Sequence, residues 1–249
     1  MKKNRFVSLV IQARMDSVRL PGKSMMKLAG IPMVGRIIER VCRCKSVDKI
    51  ILAVPEGDAN KVLVELGESY GVSVFQGSEN NLIDRFYNAL KEFKTDIVVR
   101  FPADNPVPEP EEIDRIVNHH LSLNKKGFSS NLAEINNSKY PDGIGAEVFD
   151  FCYLEELMTL SLSDKKKEHI HLNFYDYQSG IAVNESWCPI NTVNCPESFS
   201  RPDLVLDVNT IDQYNFMSDL YDNLYPKNQN FHITDIINWH DNKNKRKIK

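Results

Sequence analysis

Three cations, Arg14, Arg19 and Lys23, crowd the run Arg14-Met15-Asp16-Ser17-Val18-Arg19-Leu20-Pro21-Gly22-Lys23, with Asp16 as its single acid. They follow the apolar stretch Phe6 to Ile11, so a buried strand would deliver positive charge into one loop. In a chain of formal net charge -3, that local excess reads as a pocket for an anionic group, phosphate above all. Pro21 sets φ and Gly22 lacks a Cβ, which suits a backbone that turns sharply and approaches a ligand closely. The alternative is a solvated loop whose cations keep an edge soluble. A phosphate-cradling P-loop is excluded, because its first glycine falls where Ser17 stands and Pro21 has no N–H to offer.

The second chemical group is Asp104, a carboxylate that emerges directly after the apolar run Asp96 to Phe101. A hard cation such as magnesium takes a few protein oxygens and completes its shell with phosphate and water, so one well-placed aspartate can begin such a site. Otherwise Asp104 caps a turn before Pro106.

Positioning these groups requires strands that end where they begin. Phe6 to Ile11, Lys49 to Val54, Val72 to Phe75 and Asp96 to Phe101 have strand length. Between and after them, 32–44, 58–70, 81–93 and 110–123 carry apolar residues at helical spacing. The alternation predicts right-handed βαβ units and a mainly parallel sheet with helices on both faces. Both the basic loop and Asp104 then lie at strand carboxyl ends, where such sheets bind ligands. No G-x-G-x-x-G follows the first strand, which argues against a nicotinamide-dependent oxidoreductase. In the second half, 136–145 reads as a loop leading to a strand around 147–149. Asp150 is the expected cap of the next helix, through Leu160, and Ser163 of another carrying His169, His171 and Tyr175. Residues 187–207 read as strands joined by turns.

The chain has 249 residues, 42% hydrophobic and 26% charged, ordinary for one α/β domain with an insertion. Mild acidity argues against a nucleic-acid partner. The five cysteines form no CxxC pair and lack zinc-ligand spacing, which fits a reducing cytoplasm. The apolar start is too short for a signal peptide and no run spans a membrane, so a cytoplasmic protein with no membrane partner is expected.

The stretch from Ile11 to Lys23 resembles the signature of the CMP-sugar-synthetase-type cytidylyltransferases (the acylneuraminate and Kdo synthetase superfamily), in particular its SpsF-like, spore-coat-polysaccharide branch. The likeness continues through Gly77-Ser78-Glu79, Ile83-Asp84-Arg85-Phe86-Tyr87, Arg100 to Pro106, Tyr140-Pro141-Asp142-Gly143, Glu147-Val148-Phe149, Glu168-His169 and Asp207 to Thr210. It implies a three-layer α/β/α, Rossmann-like nucleotide-diphospho-sugar-transferase fold with a mixed, mainly parallel sheet and a small dimerisation arm. One nucleotidyltransferase domain is expected over 1–241, with 136–200 forming the acceptor pocket and arm of a homodimer. Residues 242–249 are expected to be a disordered basic tail.

The reaction implied is attack of a sugar hydroxyl, commonly on an acidic sugar, at the α-phosphorus of CTP, giving a CMP-sugar and pyrophosphate for surface polysaccharide synthesis. Arg14 and Lys23 would hold the triphosphate and the leaving pyrophosphate, with Arg19 alongside and Gly22 shaping the loop. Base selection would use the Ala13 loop and 76–85, naming Gln76, Ser78 and Arg85, with Ser78 or Asn80 capping the helix. Asp84-Arg85 could instead be a surface ion pair. Mg2+ would sit on Asp104, before which Ala103 replaces the family's glycine, acceptable if φ there is negative. A second ligand comes from Asn209, where the family usually has aspartate, or from Asp207; alternatively Thr210 is a helix cap and Asp207 structural. Tyr140, Asp142, Glu147 and His169 match the acceptor motifs, although His169 could be a helix histidine. Lys139, 165–167 and Arg201 are the available partners for a sugar carboxylate. The rival readings are a sugar-1-phosphate or polyol-phosphate nucleotidylyltransferase and a non-catalytic nucleotide-binding homologue.

Overall fold

The computed structural model describes residues 5–132, 135, 138–176 and 178–247. In chain order the strands are β1 Val7–Gln12, β2 Lys27–Leu28, β3 Ile31–Pro32, β4 Lys49–Pro55, β5 Ser73–Gly77, β6 Ile97–Pro102, β7 Phe128–Ser130, β8 Glu147–Asp150 and β9 Ile190–Thr192. The helices are α1 Met33–Val41, α2 Lys61–Ser69, α3 Leu82–Lys91, α4 Pro110–Ser122, α5 Cys152–Thr159, α6 Asp164–Glu168, α7 Ile211–Leu224 and α8 Ile233–Lys247.

Seven strands form one sheet in the order β5-β4-β1-β6-β8-β7-β9, and β2 and β3 form a separate pair. Strands β5, β4, β1 and β6 run parallel; β1, β4 and β6 are apolar, β-branched and largely buried, as strands covered on both faces are, while the edge strand β5 is only partly buried. Strand β8 alone runs against the rest, pairing antiparallel with both β6 and β7, while β9 returns parallel to β7. Period-two alternation divides the core: Leu9 and Ile11 of β1 pack in one layer with α1, α4, α7 and α8, while Val10 packs in the other with α3 and α5. The strand order reverses between β1 and β6, so the loops after these two strands open beside each other.

Several local expectations change. Asp150 caps no helix; α5 starts from Phe151, while Asp150 ends β8, pairs with Arg5 and accepts the Gly127 N–H at 2.9 Å. Strand β7 follows Gly127 with only three residues, too short to show alternation in sequence. The helix expected to carry His169 ends at Glu168, and a 3-10 turn over Ile170–Asn173 carries His171. Helix α8 continues to Lys247, so the segment expected to be a disordered tail is helical as far as it is described. Asn136 and Asn137, at the start of the expected loop, and Ile248 and Lys249 lie outside the described residues. No described helix is long and apolar enough to cross a membrane.

Candidate active site

A cleft of about 740 Å³ opens over the carboxyl ends of β1 and β6. The β1 loop forms one wall. It is fixed by Gly22 N–H to Met15 O at 3.1 Å and by the Ser24 hydroxyl on Arg14 O at 3.0 Å. Gly22 has φ 71°, and an added Cβ would meet only Met15 Cε at 3.9 Å. Left-handed backbone, rather than space, therefore requires the glycine there.

The turn delivers Lys23 into the cleft. Its Nζ donates to Val208 O at 2.9 Å and Asn209 Oδ1 at 3.0 Å, and pairs with Asp104 Oδ2 at 3.3 Å. Arg19 Nη2 donates to the same Asn209 oxygen at 2.7 Å. Two cations thus converge on one neutral carbonyl, and among the described residues only Asp104 supplies them a carboxylate directly. Arg14 reaches across to Glu168 at 3.2 Å, with both side chains over two-fifths exposed.

Arg85 is the most unusual of these cations. It is 5% exposed, and its Nε and Nη1 have no hydrogen-bond partner among the described residues. It does not pair with Asp84, whose carboxylate instead accepts from Asn88 at 3.0 Å. Burial, followed by the neighbouring charge of Arg14, pushes Arg85 down to about 10, which leaves it cationic at neutral pH. An unsatisfied buried donor costs roughly 1–3 kcal/mol, more when charged. Arg85 lines the cleft, so an anion placed there would relieve that cost.

Carboxylates collect opposite. The Val208 N–H donates to Asp104 O at 2.7 Å, which ties the end of β6 to the segment before α7. Ala103 is absent from the positive-φ residues, so the family's glycine is dispensable at this position. Asn209 donates its amide to Asp207, whose other oxygen accepts from Gln213 at 2.9 Å. Burial and then the charge of Asp104 raise the Asp207 carboxyl above its usual range. Thr210 caps α7 in a reciprocal capping box with Gln213, which explains why Asn209 is held so firmly. No cluster of three or more His, Cys, Asp or Glu among the described residues is arranged to hold a metal alone. Asp104, Asp207 and Asn209 nevertheless present hard oxygens at one place beside a cationic wall, a donor set suited to magnesium that also binds phosphate.

The other end of the cleft is balanced differently. Arg100, on β6, donates to Glu147 Oε1 at 2.6 Å and to Gln12 Oε1 at 2.9 Å, and all three residues line the cleft. Tyr175 OH lies 3.4 Å from the same Glu147 oxygen. Asp142 is positioned by backbone bonds with Leu204 and Leu206, both 3.0 Å. Next to it Gly143 has φ 92°, and a Cβ there would strike Leu206 C at 2.9 Å, so backbone crowding excludes any other residue. His169 and His171 lie with ring centroids 5.7 Å apart. Burial comes first in lowering both imidazoles, with Arg100 adding to it, and His171 falls to about 3. Both are neutral at pH 7.

Of the residues singled out from sequence, Ala13, Arg14, Arg19, Lys23, Arg85, Asp104, Asp142, Glu147, His169, Asp207 and Asn209 line this one cleft. Gly22, Gln76, Ser78 and Tyr140 do not. Gln76 is exposed on the edge strand β5. Ser78 accepts the Asn81 N–H at 3.1 Å, and Asn81, not Ser78 or Asn80, caps α3. Tyr140 is fully buried and donates to Glu112 at 2.7 Å, bracing α4 instead of facing an acceptor. Arg201 is held by Asp203 and Asp241 outside the cleft, and among 165–167 only Lys165 lines it. Arg100, Glu168 and His171, the first two in motifs that carry the resemblance but none of them given a role in the site, also line the cleft. A signal for Arg100 existed, since a charge inside the apolar strand Ile97-Val98-Val99-Arg100-Phe101 must be paired or used.

An open α/β sheet with cations and carboxylates facing each other at its switch point defines a class, the nucleotide-using transferases. Comparison narrows that class. The cytidylyltransferase family model matches residues 8–159. The uncharacterized protein MJ1063 of Methanocaldococcus jannaschii is 31% identical over 85% of this chain and 81% of its own. The spore coat polysaccharide biosynthesis protein SpsF of Bacillus subtilis is 27% identical over 86% of each. A solved cytidylyltransferase from Leptospira borgpetersenii superposes with a TM-score of 0.85 at 25% identity, covering 97% of this chain and 96% of that one. The chain belongs to the cytidylyltransferase family and is a CTP-dependent nucleotidyltransferase.

Proposed function

We propose that the cleft joins CTP to an acidic sugar for surface polysaccharide or glycan synthesis, releasing pyrophosphate. The sugar hydroxyl oxygen bonds to the α-phosphorus, the bond from that phosphorus to the pyrophosphate oxygen breaks, and the hydroxyl proton is lost. The observation that carries the reading is Arg85, a buried guanidinium with unanswered donors in a cleft shared with Arg14, Arg19 and Lys23. A triphosphate supplies the concentrated negative charge this wall lacks.

In this reading Lys23 and Arg14 hold the phosphates and stabilise the charge that grows on the departing pyrophosphate. Lys23 already lies between Asp104 and Asn209, so it can exchange those contacts for phosphate oxygens without crossing the site. Asp104, with Asp207 or Asn209, would hold Mg2+, which neutralises phosphate charge and aligns the reacting groups when bound. Asp142, Glu147 and His169 line the acceptor end, where a neutral imidazole offers hydrogen bonds to hydroxyls. Lys165 is the lining lysine there and the partner assigned to a sugar carboxylate. Asp142, Glu147, Glu168 and Asp176 line the same end, which disfavours a doubly charged sugar phosphate as acceptor. The homodimer belongs to the same proposal, supported by Ile181 and Val183, 60% and 48% exposed on the segment that follows the cleft histidines.

The test is pyrophosphate release with each nucleoside triphosphate, magnesium and a panel of free sugar acids, sugar phosphates and polyol phosphates. Product is expected only with CTP and a non-phosphorylated acid. Turnover of a sugar phosphate would replace this acceptor class with the sugar-1-phosphate alternative. Sedimentation of the purified protein checks the dimer.

A further inference from the structure

A second concentration of guanidinium groups lies away from the cleft, on α1 and the turn that follows it. Arg36, Arg40 and Arg43 repeat at helical spacing and line a separate cavity of about 260 Å³ with Glu39, Tyr221 and Tyr225. Their states differ. Arg36 is satisfied by Leu28 O at 2.9 Å, Ala29 O at 2.7 Å and Glu39 at 2.8 Å. Arg40 is 4% exposed and bonds Pro108 O and Phe231 O through Nε and Nη2, yet its Nη1 is buried with no partner among the described residues. Arg43 donates Nη1 to Asn230 Oδ1 at 2.8 Å, and its Nε is likewise orphaned.

Nearby acids do not answer these donors. Glu39 is taken by Arg36, and Glu109, 3.9 Å from Arg40, is bonded at 2.8 Å by both His232 and the Ile233 N–H. Two guanidinium groups with spare N–H donors therefore share a cavity with one committed carboxylate. Their forked geometry matches the tetrahedral oxygens of a phosphoryl group. The volume lies below the roughly 300–1,000 Å³ of drug-sized ligand pockets, which suits a small anion and excludes a nucleoside triphosphate.

We propose that this cavity binds a phosphoryl anion, either inorganic phosphate or the phosphate of a small monoester, between Arg40 and Arg43. The site is independent of the cleft and of the reaction assigned to it. Arg36 links it to the segment after the basic loop by holding the carbonyls of Leu28 and Ala29.

Isothermal calorimetry of the full chain with inorganic phosphate, at constant ionic strength, tests the assignment in the wild type, Arg43→Ala, Asn230→Asp and Arg85→Met. Saturable binding should weaken about tenfold or more, roughly 1.4 kcal/mol, in Arg43→Ala and survive in Arg85→Met, which alters only the cleft. Asn230→Asp places a carboxylate against Arg43 and should abolish the phosphate binding that survives in Arg85→Met, while raising the melting temperature, a result independent of whether Arg43→Ala folds. Competition by glycerol phosphate identifies a monoester ligand, whereas phosphate binding without such competition identifies the free ion. Absence of saturable binding in the wild type, or binding lost in Arg85→Met but kept in Arg43→Ala and Asn230→Asp, overturns the proposal.

Discussion

Arg85 and Arg100 are both buried arginines of the same cleft, yet they stand in opposite electrostatic states. Arg100 is answered by Glu147 and Gln12, so its charge is balanced before any ligand arrives. Arg85 feels the charge of Arg14 more than that of Glu79, and two of its nitrogens have no hydrogen-bond partner among the described residues. A buried cation that is paired holds the fold together, whereas an unpaired one stores a cost that an incoming anion can recover. The two ends of the cleft thus divide the work: one maintains its shape, and the other is left short of negative charge.

The largest expected effect falls on the unbalanced end. Lys23→Ala should lower kcat about 100–1,000-fold, the usual loss on removing one donor that stabilises developing charge, with the unfolding midpoint little changed. Pyrophosphate release and urea titration measure the two quantities, and retained turnover breaks the comparison. Glu147→Ala should destabilise the protein by about 3–5 kcal/mol, because Arg100 then remains buried without its partner. Arg85→Met should do the reverse: stability equal to or above wild type in urea, with the KM for CTP raised about tenfold, near 1.4 kcal/mol. If Arg85→Met destabilises as Glu147→Ala does, the distinction between the two arginines is lost.

A smaller effect concerns buried imidazoles. His120 is fully buried, with Nδ1 2.8 Å from Ser129 Oγ and Nε2 3.4 Å from Asp150. Asp150 already pairs with Arg5, and burial, then the charge of Arg5, pushes the ring down to about 3. This Ser-His-Asp arrangement is a core clasp with no opening to a substrate. The folded state refuses a proton that the unfolded chain accepts below about 6.5, so stability must fall as pH drops from there towards 3. The slope approaches about 1.4 kcal/mol per pH unit, and urea unfolding across that range in wild type and His120→Asn should show it flattened in the variant. Smallest is Asn209→Asp, which adds one charge beside Asp104 and should lower the magnesium concentration for half-maximal activity a few-fold. An unchanged requirement assigns the second ligand to Asp207.

Much of this was legible locally. Periodicity exposes β1, β4, β5 and β6 with α1 to α4, because strand and helix bury residues at spacings of two and about 3.6. The basic loop and Asp104 could be placed at the ligand face because each follows such a strand. Strand β7 was not legible, since three residues carry no period, and Tyr140 was misplaced because its motif says nothing of Glu112, 28 residues distant and on another element.

From residue order alone came the layered α/β architecture, the cationic loop and the carboxylate that faces it, all consequences of short-range pattern. The tertiary structure alone decided which charges are paired. Glu147 reaches Arg100 across 47 positions of chain and Lys23 reaches Asn209 across 186, while no described residue hydrogen-bonds two nitrogens of Arg85. Pairing and burial depend on neighbours brought together by the fold, and the free energy of a charge depends on both.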